Sequence, residues 1–119
     1  MAQPLRDPQA LQQQLRDFKE LQRQMQFILA QRQQLSLQVE EIKLAETEIA
    51  KVDKGIYRAI GPLLVETTKS EANTTLKERR ELFETRITVL GKQEEKLRPR
   101  LDELRAKLEA ALQQQGKAV

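Results

Sequence analysis

Residues 55–71 read GIYRAIGPLLVETTKSE, and the reading of this stretch decides the fold. β-Branched and aromatic residues cluster there around a Gly-Pro pair, whereas the flanking runs are charged and rich in Gln and Leu. IYRAI (56–60) and LLVET (63–67) have the make-up of two short strands, with Gly61-Pro62 as the turn between them. Pro62 cannot donate to a β-ladder, which suits a turn or the start of a strand. A lone two-stranded hairpin is barely stable in water. Its outer edges leave N–H and C=O groups unpaired and open to another chain. The stretch therefore calls for assembly, and Ile56, Tyr57, Ile60, Gly61, Leu63, Leu64 and Val65 are the residues assigned to it. Strand alternation sends one set of side chains to each face, and the strands alone do not say which set points where.

Outward from this centre the chain is helical. Asp7 is placed to cap and Pro8 to occupy the first helical position. A heptad seam then runs through Leu11, Phe18, Met25, Arg32, Val39 and Glu46 in one column. Gln14, Leu21, Ile28, Leu35, Ile42 and Ile49 form the other. Gly55 is the expected stop. Beyond the hairpin, Thr68 and Glu71 have capping-box spacing. The second seam comprises Leu76, Phe83, Leu90, Leu97, Leu104 and Ala111 with Arg80, Ile87, Glu94, Leu101 and Leu108. The expected organisation is a single domain over 1–119, with helix 8–53, hairpin 56–67, helix 69–114 and a tail over 115–119. Two arms of about 45 residues, roughly 65 Å each, folded back near residue 61, pair Phe18 with Leu104 and Met25 with Leu97. The expected fold is mainly α, an antiparallel two-helix coiled coil with the hairpin at the end of the stalk. Pro99 breaks one helical hydrogen bond, so the turns beyond Arg98 are expected to splay, expose seam residues and exchange their amides quickly.

Composition excludes much. The 119 residues include three Phe, one Tyr and no Trp, and a third of them are charged, too lean for a deep globular core. With no His, no Cys, no phosphate loop and no nucleophile elbow, the chain is not read as an enzyme, and no metal or cofactor is expected. The net charge of +3 is small and its signs are interspersed, which argues against nucleic acid. No run reaches the length of a membrane span or a signal core, so a cytoplasmic protein is expected.

IYRAIGPLLVETTKSEA followed by LKERRELFETRITVLGKQEEKL, with LQQQL and LQRQM in the first helix, resembles the prefoldin family over nearly the whole chain. One hairpin per chain points to its β-type subunits and, with the short length, to archaeal ones. The resemblance implies a hexamer of two α and four β subunits whose hairpins build a double β-barrel. It also implies an ATP-independent holdase that binds unfolded polypeptides between coiled-coil tips and delivers them to a group II chaperonin. On that reading the tip residues are Leu5, Leu11, Leu15, Phe18, Leu101, Leu104, Leu108 and Leu112. Phe18 and Leu104 are also accounted for by zipping the seam, whereas Leu15 and Leu112 lie off it. Other off-seam residues, Leu37, Leu44, Leu82 and Val89, are assigned to contacts near the hairpin; Phe27 has no assignment. The competing reading is a structural or tethering coiled coil that binds no client.

Overall fold

The computed structural model describes residues 7–117. The element order is α1 (Pro8–Ala50), β1 (Ile56–Ile60), β2 (Leu63–Thr67) and α2 (Lys69–Lys117), so the fold is mainly α with one antiparallel hairpin. Two compact units divide it: Met1–Ala30 with Leu90–Val119, and residues Gln31–Val89.

Both helices begin at side-chain caps. Asp7 accepts from the Gln9 amide at 3.1 Å, and its carbonyl accepts from Leu11 at 2.9 Å. These contacts satisfy donors that a helix start leaves orphaned. At α2 the Thr68 hydroxyl accepts from the Glu71 amide at 3.1 Å, while the Glu71 carboxylate accepts from the Thr67 hydroxyl rather than from the cap's own backbone. Mutual support is kept, one residue earlier than the capping box has it.

The ends differ from expectation. α1 stops at Ala50, three residues before 53, because the amides of Lys51 and Val52 bond three residues back, to Glu48 and Ile49, and tighten the turn out of the helix. Gly55, at φ 77°, then turns the chain into β1 instead of capping α1 directly. α2 continues to Lys117, so Gly116 lies inside it; one glycine costs a helix only about 1 kcal/mol.

Every seam residue named above, on both helices, is buried or half-buried. In the unit holding the helix ends, Met25, Ile28, Leu97 and Leu101 form the core, with Phe18, Leu21 and Leu90 packed against them. The helices there run antiparallel, as the Met25–Leu97 pairing requires. A second correction concerns Pro99. α2 passes through it unbroken, and Leu101, Leu104, Leu108 and Ala111 beyond it are all buried, at 5–9% exposure. The splayed, exposed seam is not found. Pro99 itself is exposed, so the lost hydrogen bond falls on the solvent side while four apolar seam residues hold the inner side together.

Gly91 lies mid-helix in α2, and a Cβ built there meets nothing within 4 Å. Gly91→Ala is therefore expected to stabilise the chain by about 0.5–1 kcal/mol, read as a thermal midpoint a few degrees higher.

Candidate functional site

The hairpin unit gives the first candidate surface. Gly61 adopts φ 57°, and the ring of Pro62 holds its own φ near about −65°. Glycine at the first central position is what a two-residue II′ loop wants, and that loop's twist matches the strands it joins. The register follows: Ile56 opposite Thr67, Tyr57 opposite Glu66, Arg58 opposite Val65, Ala59 opposite Leu64 and Ile60 opposite Leu63. Cross-strand partners share a face, so Ile56, Arg58, Ile60, Leu63, Val65 and Thr67 lie on one side. Tyr57, Ala59, Leu64 and Glu66 lie on the other.

Of the seven residues assigned to assembly, only Ile56 is buried in the single chain. Ile60, Leu63 and Val65 on the first face and Tyr57 and Leu64 on the second are exposed, Leu64 by 73%. Apolar residues exposed together on both faces of a two-stranded ribbon mark an interaction surface. Where the hairpin meets the helices, a groove of about 600 Å³ is lined by Ala45, Ile49, Ile56, Tyr57, Ala59 and Leu82, among others. Exposed Leu37, Leu44, Leu82 and Val89 belong to this same unit.

The helix ends beside the hairpin are tied by side chains. Lys69 donates to the Ala50 carbonyl at 3.3 Å and stands 3.8 Å from Asp53, placing a cation at the C-terminus of α1, where the helix dipole favours one. Further along, two polar seam residues meet. Arg80 Nε donates to Glu46 Oε1 at 2.8 Å and Nη2 to Oε2 at 3.4 Å, a forked pair within the seam. The bond to Glu46 raises the Arg80 pKa above its ordinary value. A raised pKa means the contribution is fully present below the ordinary arginine range and is lost only as pH rises through the raised value, so it is constant at neutral pH. Glu46→Arg alone is expected to lower the thermal midpoint, by setting two cations against each other. Combined with Arg80→Glu it should recover most of the loss, as a thermal melt of each variant will show. Both residues are legible as polar members of the seam; their pairing required the register.

The unit with the helix ends gives the second candidate surface. Leu5 lies outside the described residues. Leu11 and Phe18 are half-buried, while Leu101, Leu104 and Leu108 are buried in the seam. Leu15 and Leu112 are exposed, by 43% and 61%. The structure thus separates the tip leucines into a zipped set and an outward set. Leu29, 41% exposed, joins the outward set and was not singled out from the sequence. The signal was present: it lies two heptads from Leu15 and so falls in the same column. The Arg105 guanidinium stands over the face of the Phe18 ring, 5.8 Å from its centre, a cation–π contact.

Two long helices joined by a single antiparallel β-hairpin with apolar side chains exposed on both faces define the class of fold. Residues 12–115 match the model of the prefoldin subunit family. The chain is 39% identical over 107 residues to the prefoldin subunit beta of Thermococcus onnurineus, covering 88% of this chain and 92% of the relative. It is 37% identical to that of Pyrococcus furiosus over the same shares. Among solved structures it is similar to the prefoldin beta subunit from Thermococcus strain KS-1, with a TM-score of 0.76 at 38% identity, covering 89% of this chain and 94% of that one. The chain belongs to the prefoldin family of chaperone subunits, and within it the resemblance is to the β subunits.

Proposed function

We propose that this chain works as a β-type subunit of a cytoplasmic prefoldin hexamer, two α and four β, that holds non-native polypeptides without ATP and passes them to a group II chaperonin. The observation that carries the reading is the hairpin: apolar side chains stand exposed on both of its faces and, among the described residues, both of its edges are unpaired. Water is a poor partner for the apolar side chains, and the unpaired edges offer main-chain donors and acceptors to another strand, so neighbouring prefoldin hairpins are the natural cover. In such a complex the helix ends of several subunits are offered to one client. Outward leucines there attract the apolar side chains that an unfolded client exposes, at about 25 cal/mol per Å² buried and without regard to sequence. Each end offers little area, so affinity comes from several ends engaging one client. No nucleotide, metal or cofactor enters this mechanism.

The test is direct. The chain mixed with a prefoldin α-type subunit is expected to give the mass of a hexamer by native mass spectrometry, and the complex to suppress aggregation of a chemically denatured protein with no nucleotide present. Assembly without suppression would leave a tether rather than a holdase. Handing the held protein on is tested by adding a group II chaperonin with ATP and measuring recovered client activity.

A further inference from the structure

We propose that the client surface at the helix ends is one-sided. In this proposal a non-native polypeptide lies along the edge formed by Leu15, Gln22 and Leu29 of α1 with Arg98, Arg105 and Leu112 of α2. It lies there as an extended segment of about seven residues with apolar side chains at both ends. The inference rests on the holdase reading above and adds to it which edge is used and what shape of client segment fits.

Leu15, Gln22 and Leu29 succeed one another at heptad steps, and so do Arg98, Arg105 and Leu112. Each trio therefore keeps to one edge of its helix. The contact of Arg105 with Phe18 ties the two edges to the same side of the seam, since Phe18 belongs to the seam column that borders Leu15 and Gln22. The opposite side is different in kind. Its groove, about 400 Å³, places Asp17, Glu20, Arg100, Glu103 and Lys107 around Leu21 and Leu104. An apolar client lying there would have to strip water from charges of both signs and would meet no exposed leucine in return. Phe27, although 62% exposed, lies away from that edge, in a shallow groove with Ile28, Arg23, Gln24 and Gln93.

Size and spacing choose the occupant. Three partly exposed leucines offer at most a few hundred Å² of apolar surface, against about 800 Å² per partner in a stable interface between folded proteins. A second folded copy is too large for this edge. Leu15 and Leu29 are fourteen residues apart, about 21 Å along the helix at 1.5 Å per residue. Extended chain covers that distance in about six steps of 3.3 Å, and residues six apart on an extended strand point to the same side. Between the leucines lie Gln22, Arg98 and Arg105. Each guanidinium is bound along its own helix, Arg98 to Glu94 and Arg105 to Asp102, but carries five N–H donors, more than these contacts use. The remainder suit backbone carbonyls of an extended segment, which any sequence supplies. A helical segment has its carbonyls already engaged.

The assembled complex tests both parts. A photo-reactive phenylalanine analogue replaces Leu15, Leu29, Leu112 or Phe27, one site at a time, and the complex is offered a chemically denatured client. Cross-linking at 15, 29 and 112 is expected to exceed that at 27 by five-fold or more; equal yield at 27 overturns the one-sided edge. As a second measure, Leu29→Ser is expected to lower holding capacity and Phe27→Ser to leave it unchanged, and the reverse ranking also overturns it. Fluorescent peptides with two leucines in a polar background address the fit: spacing by six should bind several-fold more tightly than spacing by three, and equal binding overturns the extended segment. If the complex fails to hold any denatured client, the holdase reading itself falls. If it holds clients while cross-links spread evenly over both edges, only the present proposal does.

Discussion

A chain carrying Leu63→Asp and Val65→Asp should remain outside the hexamer when mixed with α-type subunits under conditions in which the unaltered chain enters it. Both residues stand exposed on the hairpin face they share with Ile60, so neither change alters a side chain that the single chain buries. In an assembly that buries this face, each loses about 1.5–3 kcal/mol of apolar burial. Each also places a carboxylate where it has no partner, which costs several kcal/mol more. With every 1.4 kcal/mol worth a factor of ten, assembly should weaken by three or more orders of magnitude. Native mass spectrometry reads the result, and far-ultraviolet circular dichroism should show the helices intact. A hexamer of unchanged stability would refute burial of this face. Leu15→Ser, on the helix ends, is the contrasting variant and is expected to assemble normally.

Pro99→Ala should stabilise the chain by about 1–3 kcal/mol, a large gain for one surface substitution. The helix already continues through this position, the side chain is exposed, and the seam beyond it is closed. Alanine therefore restores a hydrogen-bond donor toward the Glu95 carbonyl and relieves the ring's crowding without disturbing packed residues. A thermal melt measures the gain, and amide exchange locates it, with slowing concentrated between residues 95 and 108. A melt unchanged or lowered would mean that the proline bend is part of how the seam fits. The same experiment bears on function: if clients enter by loosening of the terminal turns, the stabilised variant will hold them more slowly.

Most of the architecture was legible because its signals are local. Pro8 after Asp7, the spacing of Thr68 and Glu71, and Gly61 before Pro62 act within a few residues of themselves. The structure has caps and a turn at those places. Seam membership was equally legible, since a heptad column depends only on periodicity. Pro99 misled because a helix propensity speaks for one residue, whereas Leu101, Leu104, Leu108 and Ala111 act together on the far side of the helix. The end of α1 was overshot because bonds to residues three back, not the glycine, close it.

By itself the sequence determined two long helices, their seams, and a hairpin too small and too apolar to stand alone. These follow from dihedral preference and period. Tertiary structure alone decided which polar seam residues meet, as with Glu46 and Arg80. It also matched the hairpin side chains across the strands into two faces. Those outcomes depend on the register between strands and between helices, a long-range quantity that shifts which atoms touch while leaving every local pattern unchanged.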